Sequence, residues 1–211
     1  SSFRDDPWRR LNITADHVAI TTYAPVEQAE RQIRIVNAVH KKVVGTAPDG
    51  RPYAASDPHL LAWVHLAETW AFHAAHQVYG PTPLSRHDSD AYVASMASIA
   101  ERLGVLDPPR SLAALESQLT AYRPEMEGTR DARDTASFLL DDPPLAGTER
   151  LAYDRLAAAA VAVVPEWTRE LLGRRRGTAR RRVDIAVGRR VVAGFRWASE
   201  HPAHEPQWER T

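Results

Sequence analysis

The stretch PVEQAERQIRIVNAVHKKVV, residues 25–44, decides the fold class because its apolar residues recur at intervals of three and four. This spacing is the period of an α-helix. One face of that helix carries the stripe Val26, Ala29, Ile33, Val36, His40 and Val43. The opposite face is charged, and Gly45 is expected to end the helix as a residue with positive φ. The stretch therefore predicts an amphipathic helix whose core-facing side includes His40.

A second helix is expected to follow from Pro58 to Tyr79. Asp57 can cap its first free N–H groups, and Pro58 suits the first helical position because its missing N–H is not needed there. Gly80 and Pro81 end it. Its apolar side chains point in nearly every direction, which predicts a long, central, buried helix.

Helical spacing continues through the rest of the chain, and strand signals are scarce. The last helix is expected from about Arg180 to Ser199. No linker divides the sequence, so we expect residues 1–211 to form a single all-α domain, a helical bundle. Because the chain does not begin with Met, an upstream segment is expected to be missing from it.

Composition excludes several classes of function. Lys and Arg together count 27, as do Asp and Glu, so the formal charge of +0 argues against a nucleic-acid partner. The absence of cysteine excludes thiolate metal sites, Fe–S clusters and cysteine nucleophiles. No apolar run approaches the roughly 20 residues that span a bilayer, so we expect no membrane span. The expected location is the cytoplasm, with secretion through a removed signal segment as the alternative; the sequence sets no expectation for the oligomeric state.

His40 is the sharpest candidate for a functional residue. Its neighbours on the stripe are aliphatic, so a ligand bound to its imidazole would lie in a dry, low-dielectric pocket. Asn37, one turn earlier, can orient the ring through its other nitrogen, as can a backbone carbonyl. The alternative is a core histidine hydrogen-bonded to the backbone.

Two further groups of residues fall on shared helix faces. His65, Glu68 and His76 lie near one face of the second helix and can converge on a metal or a substrate. His73 and His76 are otherwise expected to be partly exposed. Arg10 and Thr14 are one turn apart near the start of the chain; the plainer interpretation is a surface arginine and a solvated threonine. The arginine-rich C-terminal third is expected to form a solvated or salt-bridged face.

Four segments, in this order, carry a family resemblance. They are SFRDDPWRRLNIT at 2–14, HKKVVG at 40–45, DGRPYAASDP at 49–58 and WVH at 63–65. Together they resemble the family that groups mpaB-type ER-bound oxygenases with rubber oxygenase, or latex clearing protein. The resemblance covers nearly the whole chain.

The resemblance implies an all-α catalytic domain that holds haem b between helices and activates dioxygen to oxidise an apolar substrate. It places the axial iron ligand at His40 and the family's Arg-x-x-x-Thr element at Arg10 and Thr14. His65 is implied on the pocket wall as a distal or supporting group, and Trp63 beside the apolar part of the pocket. Where rubber oxygenases have a distal lysine, this chain has Ile13.

We therefore expect a haem b-dependent oxidoreductase, an oxygenase, with dioxygen and a small or apolar organic molecule as its partners. One alternative is a non-catalytic helical domain that binds a ligand or a protein. The other is a non-haem metal enzyme that uses His65, Glu68 and His76.

Overall fold

The computed structural model of the protein describes residues 7–47 and 49–201, without the side chains of residues 7, 8 and 10. Helices form 74% of this part, so the prediction of an all-α fold is confirmed. None of the described helices is long and apolar enough to cross a membrane. The helices are α1 (Pro7–Tyr23), α2 (Val26–His40), α3 (Pro58–Tyr79), α4 (Arg86–Leu103), α5 (Leu112–Tyr122), α6 (Arg130–Asp141), α7 (Gly147–Val163), α8 (Glu166–Leu171) and α9 (Thr178–Glu200).

The described residues divide into two compact units. The first contains α1, α2, α3 as far as Thr69, α4 and α5. Its core is built on α4, whose buried face recurs at helical spacing, together with Leu66 of α3 and Leu115 of α5, which have no exposed surface. The buried residues of α4 are Ser89, Val93, Ala97 and Ala100. Packing therefore fixes α2 and α5 against α4.

The helix α3 has the bounds that its punctuation predicts. The His59 backbone N–H donates to Oδ1 of Asp57 at 2.9 Å, which is the predicted cap. Burial of α3 is one-sided, however. Leu66 and Thr69 are fully buried, whereas Phe72 is 48% exposed.

The prediction for the end of α2 is wrong. Its helix ends at His40, and the chain continues into β1 (Val44–Thr46), which pairs antiparallel with β2 (Pro52–Ala54). Gly45 lies opposite Tyr53, and a Cβ at Gly45 would lie 2.7 Å from the Tyr53 ring. The glycine is therefore needed for this close approach and not for a positive φ. The stripe is buried at Ile33 and exposed at its two ends.

The second unit contains α3 from Trp70, followed by α6, α7, α8 and α9. The helices α7 and α9 pack closely where Gly188 meets Ala159, because a Cβ at Gly188 would lie 2.5 Å from the Ala159 Cβ. The Tyr79 hydroxyl donates to the Ala159 carbonyl at 2.8 Å. Arginines of the C-terminal third form ion pairs, as Arg176 does with Asp184 at 2.7 Å, so the predicted salt-bridged face is confirmed.

Candidate functional site

His40, the last residue of α2, is half-buried. Its Nδ1 is buried and has no hydrogen-bond partner among the described residues. Burying an imidazole nitrogen without a hydrogen-bond partner costs about 1–3 kcal/mol of folding stability. The nitrogen is therefore a candidate for contact with a bound group.

A second imidazole interacts electrostatically with His40. His17 is on α1, which packs against α2, and its Nδ1 is likewise buried without a partner in the described structure. Burial lowers the pKa of His17 below its usual 6.5, and the charge of His40 lowers that pKa further. His17 is thus favoured in its neutral form, which is the form of imidazole that binds metals.

Asn37 makes a contact that the sequence does not predict. Its Nδ2 donates to the Arg102 carbonyl at 3.0 Å, which joins α2 to α4. No hydrogen bond from Asn37 or from a backbone carbonyl to the His40 ring is found among the described residues. That one of them orients the ring through the nitrogen that does not bind the ligand stays a prediction.

The Arg-x-x-x-Thr element lies on α1. The side chain of Arg10 falls outside the described residues, and Thr14 is exposed. His17 comes three residues after Thr14 and seven after Arg10, a spacing that puts all three near one face of the helix. Sequence reasoning missed His17, although this spacing is a signal that could have found it.

His65 lies in a polar cluster between α3 and α4. It is only 8% exposed, and its Nδ1 is 3.3 Å from the Thr69 hydroxyl. Its Nε2 is buried without a partner among the described groups. Burial lowers the pKa of His65, so the neutral ring is favoured.

Two acids accompany His65. Burial raises the pKa of Glu68. Burial, followed by the charge of Glu68, raises the pKa of Tyr92 to about 12, and the Tyr92 hydroxyl donates to the Thr69 carbonyl at 3.4 Å. Thr69 therefore contacts both groups, the neutral imidazole through its hydroxyl and the phenol through its carbonyl. Sequence reasoning did not identify Tyr92 as part of a site.

Trp63 belongs to a separate aromatic group. Its ring lies 5.7 Å from the Tyr122 ring, and Tyr122 in turn stacks on His59 at 4.7 Å. These contacts join α3 to α5. No ring contact between Trp63 and His40 is found within the described structure.

The alternative metal site on α3 is not formed. No group of three His, Asp or Glu side chains that could hold a metal ion occurs among the residues with described positions. The His76 Nε2 lies 3.2 Å from the Thr82 carbonyl. The expectation that His73 is partly exposed is wrong, because it is 8% exposed on the buried side of the helix.

We predict that His65 makes the fold sensitive to acid. Because its pKa is lowered from 6.5 in the folded chain, unfolded chains bind more protons once the pH falls below that value. The stability contributed by neutral His65 is present above pH 6.5 and is lost on acidification, by at most about 1.4 kcal/mol per pH unit. Urea unfolding at pH 7.5 and pH 5.5 should therefore show a smaller loss of stability in His65→Gln than in the unmodified protein. Equal losses would contradict the prediction. The lowered pKa of His17 also reduces stability on acidification, but it does so equally in both proteins.

Comparison with models of protein families matches residues 1–197 to the family described as ER-bound oxygenase mpaB/B'/Rubber oxygenase, catalytic domain. Comparisons with curated proteins and with solved structures gave no match. The family match includes every residue of the candidate site and ends within α9.

Proposed function

The chain belongs to the family of mpaB-type ER-bound oxygenases and rubber oxygenases, and from this premise we propose that it is a haem b-dependent oxygenase whose iron is bound by His40. The observation that carries the proposal is the buried, unpartnered Nδ1 of His40 in the described structure, beside the neutral-favoured imidazole of His17. A buried imidazole that no protein group satisfies suits coordination of a metal.

The chemistry of these residues fits haem b. When bound, haem b supplies an iron centre that activates dioxygen. His40 provides the nitrogen ligand, and His17 provides a second imidazole on the neighbouring helix. The hydrogen bond from Asn37 to the Arg102 carbonyl fixes α2 against α4, so Asn37 acts as a positioning residue for His40.

The remaining site residues have supporting roles in this proposal. Arg10 pairs with a carboxylate of the macrocycle, as guanidinium groups do, and Thr14 lies one turn further along the same face. His65 remains neutral and accepts or donates a proton at Nε2, while Thr69 holds its Nδ1. Trp63 supplies an apolar wall through its packing on Tyr122.

The proposed substrates are dioxygen and a small apolar organic molecule. Apolar side chains next to His40 and on α1 support an apolar substrate because they are exposed in the first unit. They are Leu11 at 53%, Ile13 at 54%, Val39 at 52% and Val43 at 42%. Covering such side chains with an apolar ligand is favourable, by roughly 25 cal/mol per Å² of apolar surface removed from water.

Haem reconstitution tests the proposal. The purified chain is mixed with excess haemin, freed of unbound haemin by gel filtration, and examined for its Soret absorption and its pyridine haemochromogen. We expect about one haem b per chain. A chain that elutes folded and colourless would contradict haem dependence and would favour a non-catalytic helical ligand-binding domain.

A further inference from the structure

A cavity of about 300 Å³ lies in the second unit, where α8 ends and α9 begins. It takes no part in the site around His40. The cavity is lined by Glu166, Arg169, Glu170, Arg175, Arg176 and Gly177. Three of these six residues are arginines. Whether the cavity favours an anion therefore depends on which of the three are already paired with an acid.

Arg169 is the unusual member of the lining. It is 7% exposed, and both its Nε and its Nη1 are buried with no hydrogen-bond partner among the described residues. A guanidinium carries a full positive charge and five N–H donors in a fixed fork. A buried charge without a partner is strongly destabilising. A bound anion would remove this cost by pairing with the guanidinium.

The other two arginines already have carboxylate partners. Arg175 binds Glu170 at 2.8 Å, and Arg176 binds Asp184 at 2.7 Å. No ion pair joins Arg169 to an acid within the described part of the chain. Its charge is therefore not neutralised by the protein in the way that its neighbours' charges are.

The start of α9 supplies a second, independent feature that favours an anion. Gly177 is the N-cap of this 23-residue helix, and no side chain caps the first N–H groups. Those groups and the helix dipole favour a negative charge at the N-terminus. Gly177 lines the same cavity as Arg169, so the helix start and the unpaired guanidinium face one space.

We propose that Arg169 and the N-terminus of α9 bind the phosphate group of a small molecule. A guanidinium fork donates two parallel hydrogen bonds to a phosphate, and free helix N–H groups complete its coordination. Glu166 adds a negative charge to the lining, which favours a ligand with one phosphate over a polyphosphate. The group can be inorganic phosphate or the end of a monoester, because the cavity is larger than a phosphate ion.

Calorimetric titration and thermal unfolding of the full chain test the site. Sodium phosphate and phenyl phosphate are the probes, with sodium chloride at equal ionic strength as the reference. We expect saturable binding and a rise in the unfolding temperature with phosphate. Tighter binding of phenyl phosphate would identify a monoester as the occupant, and equal binding would identify free phosphate. A response no larger than that to chloride would overturn the proposal.

Variants assign the response to Arg169. Arg169→Met should weaken phosphate binding more than tenfold, whereas Arg190→Met should leave it unchanged because Arg190 is an exposed arginine in the middle of α9 that does not line the cavity. Arg169→Lys keeps the charge without the fork and should bind several-fold more weakly than the unmodified protein. This second variant decides the outcome if Arg169→Met does not fold. Unchanged affinity in either Arg169 variant would overturn the proposal.

Discussion

His40→Gly is expected to lose haem almost completely, with an affinity at least about 100-fold below that of the unmodified chain. Removing a group that only supports a metal ligand weakens binding by about 10–100-fold, and His40 is proposed to be the ligand itself. The fold should survive, because glycine inside a helix costs only about 0.5–1 kcal/mol relative to alanine and His40 is the last residue of α2. Titration with haemin, followed at the Soret band, measures the affinity.

His87→Gly is the matched control for this prediction. His87 is an exposed histidine on α4, so its loss should leave haem binding unchanged. Equal affinities for His40→Gly and His87→Gly would contradict the assignment of His40 as the iron ligand.

The second large effect concerns the packing of α7 on α9. Gly188→Ala should destabilise the chain by about 2 kcal/mol, because the new Cβ would lie 2.5 Å from the Ala159 Cβ and 2.9 Å from the Tyr79 ring. The free-energy cost of moving two packed helices apart exceeds the gain of about 1 kcal/mol from the higher helix propensity of alanine. Thermal unfolding should show a midpoint lower by about 4–8 °C.

Gly194→Ala provides the comparison within the same helix. A Cβ at Gly194 would meet nothing within 4 Å, so only the gain in helix propensity of about 1 kcal/mol remains. The two alanine variants are thus expected to shift stability in opposite directions. A stabilised Gly188→Ala would show that α7 and α9 do not approach as closely as described.

Local chemistry explains where the fold could be predicted from sequence. The bounds of α3 follow from Asp57, Pro58 and the Gly80-Pro81 pair, all of which act within a few residues of the helix ends. The end of α2 was misplaced because the helical spacing of apolar residues continues to Val43, whereas the chain leaves the helix after His40 to pair Gly45 with Tyr53 in a hairpin. Apolar periodicity carries no information about such a hairpin.

The candidate site shows the same division. His40 could be identified because it interrupts an aliphatic stripe within a single helix. His17 and Arg169 acquire their importance from burial and from missing partners, which arise only when separate elements pack. The contact of Asn37 with the Arg102 carbonyl could not be predicted because that carbonyl belongs to another helix.

Chemical rescue of His40→Gly tests most directly whether the imidazole of His40 binds iron. The variant is mixed with haemin in the presence and absence of millimolar imidazole, and its absorption spectrum is compared with that of the unmodified protein. We expect no bound haem without imidazole and a spectrum like that of the unmodified protein with it. A variant that retains haem with an unaltered spectrum when imidazole is absent would contradict ligation by His40.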